Sequence, residues 1–234
     1  STNLKYLKQV KYFLKKFKIK KYNIILEPAK RNTAPAILAA ALIKEIPNKQ
    51  PLIFFPADHL IQNANQLNKA ITKNKKYLNN QNIFIFGIKP TVPSKEYGYF
   101  LTRKTTNNIN KVTKFIEKPS KLRAKKIIKK KGYWNSGILF ARKDSIINNF
   151  IKYQTKTLNL CIESIYKSKF SKNIYYLNKQ IFNKILEKSF DYAILEKSKN
   201  INGVKLNIPW SDLGSWKEIS NIFKRNKSKY LKKS

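Results

Sequence analysis

The sequence contains little cysteine, glycine or acid, and each shortage excludes a class of protein. One cysteine, Cys161, cannot build a disulfide scaffold, and one cysteine with one histidine cannot build a zinc site. Six glycines, no two of them close together, leave no glycine-rich phosphate loop among these residues. The longest apolar run, residues 34–43, is ten residues long, whereas a membrane-spanning helix needs about 20. We therefore expect neither a disulfide-rich secreted protein, nor a zinc protein, nor one that spans a membrane.

Basic side chains outnumber acidic ones by 50 to 12, which gives a net charge of +38. Such a charge is typical of proteins that bind nucleic acid or anionic membranes. However, 45 of the basic residues are Lys and five are Arg, whereas recognition of phosphates and bases favours the planar fork of Arg. Lys, Asn and Ile are all frequent here, and they share A- and T-rich codons. The pattern therefore indicates a coding bias, with a basic nucleic-acid-binding module as the alternative.

Hydrophobic residues make up 42% and aromatic residues 13% of the chain, which is enough for a folded core. Short apolar runs alternate with helical patterns, and this favours a mostly parallel sheet covered by helices on both faces. The apolar runs predict strands over residues 23–26, 51–55, 83–88, 97–102, 112–117, 132–140 and 203–208. The helical patterns cover residues 34–46, 63–77, 121–131, 144–153, a further stretch to about residue 169, and 182–198.

Another helix is predicted over residues 4–18. Leu7, Val10 and Leu14 follow helical spacing, with lysines between them. This pattern favours a surface helix that packs one face on a core, and a helix lying on a membrane surface is the alternative. Because the first twenty residues contain no continuous apolar run, we expect a cytoplasmic protein without a secretory signal.

Two aspartates stand in unusual local contexts. Asp58 directly follows an apolar strand, within Pro-Ala-Asp-His, and Asp212 lies between two tryptophans in residues 210–216. Ligands of open α/β sheets bind outside the carboxyl ends of the strands, and carboxylates there suit Mg²⁺. The two residues could form one Mg²⁺ site for phosphate chemistry, or each could be an ordinary turn or cap residue. His59, the only histidine, is given no role.

Two further segments combine polar side chains with a strand end. Glu117 and Lys118 follow a predicted strand, where Glu can accept hydrogen bonds from sugar hydroxyls and Lys can meet a phosphate; a strand-end ion pair is the alternative. Residues 27–35 join a strand to a helix. We expect Thr33 to cap that helix and Pro35 to fit its first turn, and a helix start also attracts anions. The helix of residues 144–153 is expected to be capped near Asp144.

Seven short segments together resemble one family. They are residues 27–36 (EPAKRNTAPA), 56–59 (PADH), 97–100 (YGYF), 115–119 (FIEKP), 133–137 (YWNSG), 190–197 (FDYAILEK) and 210–216 (WSDLGSW). They occur in the order and spacing of mannose-1-phosphate guanylyltransferases, the sugar nucleotidyltransferases that make GDP-mannose. The resemblance runs from about residue 3 to about residue 220.

This resemblance implies an α/β fold of the nucleotidyltransferase (Rossmann-like) type, with a central mixed sheet flanked by helices. It implies transfer of GMP from GTP to mannose 1-phosphate, with Mg²⁺ as the cofactor, and catalysis by positioning and charge neutralisation. By resemblance, Asp58 and Asp212 hold the metal, and Lys118 and Asp212 are the catalytic residues. The residues implied in substrate binding are Glu27, Arg31, Asn32 and Thr33 toward the base, Gly98, Glu117 and Asn135 near the sugar, and Asp191 in support.

The chain also departs from the family's pattern. The family's first strand and its glycine-rich triphosphate loop have no counterpart, and Lys30 stands where the family usually has Gly. We therefore expect a single nucleotidyltransferase domain over residues 1–234 that lacks its first strand–loop–helix unit and has no C-terminal isomerase (cupin) domain. Such a chain is expected to be weakly active or inactive alone. A catalytically degenerate sugar-nucleotide-binding protein is the alternative function. The oligomeric state stays open, with a homo-oligomer possible.

Overall fold

The computed structural model describes residues 1–105 and 109–214. The strands of these residues are β1 (Thr2–Asn3), β2 (Ile24–Glu27), β3 (Pro51–Phe54), β4 (Leu60–Ile61), β5 (Ile83–Ile88), β6 (Tyr99–Lys104), β7 (Asn110–Ile116), β8 (Tyr133–Arg142), β9 (Lys169–Ser171), β10 (Ile174–Tyr176), β11 (Ile201–Leu206) and β12 (Trp210–Ser211). The helices are α1 (Leu7–Lys16), α2 (Thr33–Ala41), α3 (Ala64–Lys75), α4 (Lys121–Lys129), α5 (Lys143–Tyr153), α6 (Thr155–Tyr166) and α7 (Lys179–Phe182), with a 3₁₀ turn at Leu4–Tyr6 and a π-helix at Asp191–Leu195.

The main sheet has six strands in the order β3-β8-β5-β11-β7-β6. Only β11 and β5 run parallel, and the other neighbours are antiparallel. The fold is therefore the mixed α/β sheet that the family resemblance implies, whereas the mostly parallel sheet expected from the apolar runs is wrong. Helices cover both faces of this sheet, so its central strand β5 is apolar or small throughout, whichever way its neighbours run.

The strands β6 and β8 also pair with each other, through Tyr99 with Trp134 and Phe100 with Tyr133. This pairing links β6, the last strand in the order, back to β8, the second. The strands β8, β5, β11, β7 and β6 therefore form a closed ring of paired strands. Its consequence is local: it carries Gly98, which precedes β6, next to Asn135 in β8, and the Asn135 N–H donates to the Gly98 carbonyl at 2.7 Å.

A second sheet has the order β1-β2-β10-β9, and a two-stranded ladder joins β12 to β4. The hairpin of β9 and β10 was not predicted, because its residues carry no apolar run long enough to indicate strands. Lys172 and Asn173 form its turn, both at positive φ. Helix α1 packs on this small sheet through Leu7, Val10 and Leu14, as predicted for a surface helix.

Two hydrophobic clusters fill the two sides of the main sheet. One contains α2, α5, α6 and residues from the small sheet, and the other contains side chains of α3 and α4. The helix expected over residues 34–46 ends at Ala41. The buried ammonium of Lys143 donates to the carbonyls of Ile43 and Ile46, at 2.9 and 2.7 Å, and so satisfies acceptors just beyond the helix.

Two local expectations are wrong. Helix α5 begins after Arg142 without a side-chain cap, and Asp144 instead pairs with the Arg142 guanidinium. Residues 182–198 are not a continuous helix, because only Asp191–Leu195 is helical beyond the end of α7. Within the described ranges, no helix combines the length and apolar character needed to cross a bilayer.

Candidate active site

A cavity of about 820 Å³ opens between the start of α2, the end of β7 and residues 187–197. Its size falls within the usual range of small-ligand sites. Because four acidic side chains line it, we call it the carboxylate cavity. Its lining residues are Asn32, Thr33, Glu117, Lys118, Glu187, Lys188, Ser189, Asp191, Tyr192, Glu196 and Lys197.

Glu117 and Asp191 are fixed in this cavity by two neighbours that the sequence also singled out. The Asn135 side chain donates to Asp191 Oδ1 at 2.8 Å. Gly98 lies so close to Glu117 that an added Cβ would stand 2.5 Å from its Oε2 atom and 3.5 Å from Asn135 Cβ. Glycine is therefore required at position 98 for the carboxyl group of Glu117 to occupy its place. These four residues form one continuous group.

The pKa values of the Glu117 and Asp191 carboxyl groups are both raised. Burial, and then the nearby charge of Asp191, raises the pKa of Glu117 to about 8. Burial also raises the pKa of Asp191, although the hydrogen bond from Asn135 opposes this. Desolvation penalises the charged form of a carboxyl group, and a second carboxylate close by adds to the penalty. The protonated form of the Glu117 carboxyl is therefore favoured, and in that form the group can both donate and accept a hydrogen bond.

The turn that follows β7 is held by a third carboxylate. Glu196 accepts a hydrogen bond from the backbone N–H of Glu117 at 3.0 Å. The next residue, Lys118, has a φ of +44°, a left-handed conformation that is costly for a side chain with a Cβ. Glu196 reaches this place through the π-helix, in which its own N–H donates to the Asp191 carbonyl at 2.9 Å. Single π-turns of this kind occur frequently at functional sites.

The opposite wall of the cavity joins residues 31–34 to residues 188–190. The Thr33 hydroxyl accepts from the Phe190 N–H at 2.8 Å. The Ala34 N–H donates to the Lys188 carbonyl at 3.1 Å, and the Lys188 N–H donates to the Arg31 carbonyl at 3.2 Å. The cap of α2 is Asn32, whose side chain accepts from the Thr33 N–H, so the expectation that Thr33 caps this helix is wrong.

Asp58 and Asp212 flank a different ladder. Strand β4 begins two residues after Asp58, strand β12 ends just before Asp212, and the two strands pair through Leu60 with Ser211. The pairing brings the two chain segments together, as the sequence predicts for a shared site. The Asp58 side chain is 83% exposed, with its Oδ1 3.8 Å from His59 Nε2. Asp212 Oδ1 accepts from the Tyr97 hydroxyl and from the Gly214 N–H, each at 3.1 Å.

An aromatic cluster supports Asp212. The ring of Tyr97 packs edge-on against Trp210 and Trp134, with centroids 5.3 and 4.9 Å apart. His59 packs against Trp210 at 5.3 Å, and its Nδ1 lies 3.0 Å from the Ser136 carbonyl oxygen. A second cavity, of about 780 Å³, is bordered by Tyr97, Trp134 and Trp210. Tyr97 thus borders this cavity, while its neighbour Gly98 lies against the carboxylate cavity. Ser215 and Trp216, which complete the 210–216 motif, lie outside the described residues.

The donor set at Asp58 and Asp212 fits Mg²⁺ only in part. Over residues 1–105 and 109–214, no group of three or more His, Cys, Asp or Glu side chains is placed to hold a metal ion. Mg²⁺, however, is usually held by one or two carboxylates together with substrate phosphates and water. Two aspartates that flank a pair of strands, one of them open to solvent, match that mode of binding.

The structure brings most of the predicted residues to these places. Asn32, Thr33, Glu117, Lys118 and Asp191 line the carboxylate cavity, and Gly98 and Asn135 contact two of them. The described linings of the two cavities do not include Glu27 or Arg31. Glu27 accepts from the Ser1 hydroxyl, and burial raises its pKa, whereas Arg31 donates to the Asn183 carbonyl.

Sequence reasoning missed Glu196, Tyr97 as the partner of Asp212, and His59 as a contact of Asp58 and Trp210. Each of these residues lies inside one of the seven motifs. The motifs therefore indicated the segments, but they did not predict these side-chain contacts. Lys30 is not in the left-handed region, in contrast to Asn32 at a φ of +67°, so replacement of the family's usual glycine there costs no backbone strain.

Comparison with known proteins shows the family of this chain. A family model described as Nucleotidyl transferase matches residues 2–229. Over 215 residues the chain is 33% identical to a mannose-1-phosphate guanylyltransferase of Escherichia coli, a match that covers 88% of this chain and 46% of that protein. It is 30% identical to the alginate biosynthesis protein AlgA of Pseudomonas fluorescens, with coverage of 86% and 43%. The chain thus spans less than half the length of these curated relatives.

Solved structures show the same fold. A Helicobacter pylori structure described as a mannose-6-phosphate isomerase matches with a TM-score of 0.79 and 28% identity, over 89% of this chain and 82% of that one. A Thermus thermophilus structure described as a mannose-1-phosphate geranyltransferase matches with a TM-score of 0.73 and 24% identity, over 85% and 57% of the two chains. The chain belongs to the nucleotidyl transferase family, and it has that family's α/β fold.

Proposed function

We propose that this chain catalyses the transfer of GMP from GTP to mannose 1-phosphate, which gives GDP-mannose and pyrophosphate. The observation that carries the proposal is the carboxylate cavity, in which Glu117, with its raised pKa, and Asp191 border a space next to Lys118, and Asn135 donates to Asp191. A sugar ring presents hydroxyl groups that need both donors and acceptors, and a phosphate at its anomeric carbon needs a cation. The cavity offers hydrogen-bonding groups and, at Lys118, a cation. The mannose phosphates in the names of several similar proteins support the choice of sugar.

In the proposed reaction, a phosphate oxygen of mannose 1-phosphate forms a bond to the α-phosphorus of GTP. The bond from that phosphorus to the bridging oxygen of the β-phosphate breaks, and pyrophosphate leaves with its electron pair. No side chain forms a covalent bond, so this chain contributes position and charge. Lys118, held at its left-handed turn, is assigned to the sugar phosphate, and Glu117, Asn135 and Asp191 are assigned to the sugar hydroxyls.

Asp58 and Asp212 are the residues that would hold Mg²⁺. When bound, the ion would neutralise the phosphates of the nucleotide. The contribution of the chain itself is to orient the two carboxylates, through the β4–β12 pairing and the Tyr97 hydroxyl on Asp212. Asn32 and Thr33 line the carboxylate cavity. By resemblance, we assign them to binding of the nucleotide base. Residues 1–234 are proposed to act as one nucleotidyltransferase domain.

The test is release of pyrophosphate from GTP and mannose 1-phosphate, with and without Mg²⁺. We expect weak release that requires both substrates and the metal, and that falls by about 100-fold or more in Asp212→Ala. Asp144→Asn is the matched control, since that carboxylate pairs with Arg142 at the start of α5.

A separate titration of GDP-mannose distinguishes the alternative function. Binding of GDP-mannose without pyrophosphate release would favour a non-catalytic sugar-nucleotide-binding protein. If GDP-mannose does not bind and pyrophosphate is not released, the proposal is wrong.

A further inference from the structure

The N-terminal helix exposes an unusual number of large apolar side chains. The inner side of α1 packs on the small sheet through Leu7, Val10 and Leu14, and α1 has no buried residue. The exposed apolar side chains of this segment are Leu4 (59% exposed), Tyr6 (46%), Tyr12 (59%), Phe13 (43%), Phe17 (66%) and Ile19 (47%). We call these six side chains, together with the lysines between them, the α1 surface.

The charge of the α1 surface has one sign only. Residues 1–26 contain eight lysines and no Asp, Glu or Arg. All eight are exposed: Lys5, Lys8, Lys11, Lys15, Lys16, Lys18, Lys20 and Lys21. Lysines mixed with aromatic residues on a helix that lies flat are characteristic of segments at the boundary between lipid headgroups and acyl chains.

Several aromatic rings of this surface already have a neighbour on one face. Phe13 and Phe17, one turn apart, stack on each other with centroids 6.1 Å apart and an angle of 14° between the rings. The ammonium groups of Lys5 and Lys16 lie over the rings of Tyr6 and Tyr12, at 4.7 and 5.8 Å. Single-stranded nucleic acid is held by bases stacked on ring faces, with Arg as a favoured partner, and residues 1–26 contain no Arg.

A second copy of the chain is also a poor partner. A symmetric contact through this surface would bring the lysines of two copies together, with no acidic residue in either segment to pair with them. An anionic lipid bilayer, in contrast, supplies phosphates for the lysines and an apolar layer for the aromatic rings.

We propose that the α1 surface docks this protein on an anionic lipid bilayer. The helix lies parallel to the membrane plane, its inner side stays packed on the small sheet, and Phe13 and Phe17 enter the boundary between headgroups and acyl chains. The lysines contact lipid phosphates. The attachment is peripheral and reversible, and it does not depend on the proposed catalytic function.

The first test is flotation of the full chain with vesicles. We expect binding to phosphatidylcholine vesicles that contain about 30% phosphatidylglycerol, and little binding to pure phosphatidylcholine. The double substitution Phe13→Ser with Phe17→Ser should weaken binding about tenfold or more, and each Lys→Gln change at Lys11 or Lys15 about fivefold. The control, Tyr166→Ser with Phe170→Ser, removes aromatic side chains that are 86% and 53% exposed elsewhere. Thermal unfolding of both double variants checks that they are folded.

The second test uses the single native thiol. Cys161 is buried, and burial raises the pKa of its thiol to about 12, so a new surface cysteine can be labelled selectively. A polarity-sensitive dye on Phe13→Cys should shift to the blue with anionic vesicles and be quenched by lipids brominated in their acyl chains. The same dye on Tyr166→Cys should do neither.

Three outcomes would overturn the proposal. Equal binding by the two double variants would mean that general positive charge, and not the α1 surface, holds the vesicle. Displacement by RNA oligonucleotides at about 0.2 M salt, without bromolipid quenching, would mean that nucleic acid is the partner. A dye on Phe13→Cys that is shielded from acrylamide before vesicles are added, and unchanged by them, would mean that protein covers this surface.

Discussion

The carboxylate of Glu196 accepts a hydrogen bond from the backbone N–H of Glu117, across 79 residues of chain. This contact fixes the turn in which Lys118 has its left-handed conformation. It also places a negative charge that helps to raise the pKa of Glu117. Glu196 therefore holds the backbone of Glu117 and also contributes to the rise of its pKa.

The pair Glu196→Ala and Glu196→Gln separates these two effects. Gln keeps an oxygen that can accept from the Glu117 N–H, whereas Ala leaves that donor unpaired, at a cost of about 1 kcal/mol. We expect Glu196→Ala to raise the KM for mannose 1-phosphate about fivefold to tenfold, and Glu196→Gln to restore most of it. Both variants remove the charge, so both should shift the pH dependence of KM to lower pH. Identical behaviour of the two variants, with no pH shift, would show that the contact is incidental.

Stability should depend on pH through Glu117. Its folded pKa, about 8, lies above the ordinary value of 4.5, so between these values the folded state binds more protons than the unfolded one. Stability therefore falls as pH rises from about 4.5 to about 8, and levels off above that. Glu117→Gln cannot ionise and should flatten this slope in urea-unfolding curves measured across the range.

Glu163→Gln is the control for this slope. The hydrogen bond from Lys167 lowers the pKa of Glu163, so its contribution is present above the ordinary pKa of 4.5 and is lost only as pH falls below it. The slope above pH 5 should be unchanged in this variant. An equally steep slope in Glu117→Gln would rule out Glu117 as its source.

Tyr97 and Tyr99 form a matched pair for testing the Asp212 site. The Tyr97 hydroxyl donates to Asp212, whereas the Tyr99 hydroxyl donates to the Ser94 carbonyl at 2.9 Å. Loss of a group that orients a metal ligand typically weakens metal binding by about tenfold or more. We expect Tyr97→Phe to raise the Mg²⁺ concentration for half-maximal activity by about tenfold, and Tyr99→Phe to leave it unchanged. The reverse order would mean that Asp212 is not held through Tyr97.

Gly98 and Gly132 provide a second matched pair. A Cβ at Gly98 would meet the end of the Glu117 side chain, whereas one at Gly132 would stand 2.4 Å from Ile127 Cγ2 and 3.0 Å from the Ile127 carbonyl oxygen. Gly98→Ala should therefore displace Glu117 and raise the KM for mannose 1-phosphate by about tenfold. Gly132→Ala should lower the free energy of unfolding by about 1–3 kcal/mol without a change in KM. A purely structural role for Gly98 predicts loss of stability with an unchanged KM.

The sequence predicts elements well where a single apolar run decides them. The bounds of β5 match the prediction, because polar Asn82 and Lys89 enclose six apolar or small residues. The same reasoning failed for strand direction, since burial on both faces gives one pattern for parallel and antiparallel neighbours alike. It also failed for residues 182–198, where hydrogen bonds to Arg31 and Thr33, far along the chain, satisfy backbone groups that a helix would otherwise use.

The candidate site, too, could be predicted from the sequence only in part. Recognised motifs supplied Glu117, Lys118, Asn135 and Asp191, but Glu196 could not be found from spacing. In an α-helix, residues five apart point about 140° away from each other, so Asp191 and Glu196 would not share a cavity. The π-helix turns them to the same side, and single-sequence patterns do not predict a π-helix.

Hydrogen bonds between residues 31–34 and 188–190 make one wall of the carboxylate cavity rigid. Three hydrogen bonds, to Arg31, Thr33 and Lys188, join segments that are distant in the chain. The Lys188 amide lies outside any helix or strand, and the Phe190 amide lies at the start of the π-helix, yet both can exchange with solvent only when the two segments separate. We therefore expect slow deuterium uptake at these two amides, as a single cooperative unit. A ligand that enters this cavity meets a wall already in place, and loses little affinity in ordering it.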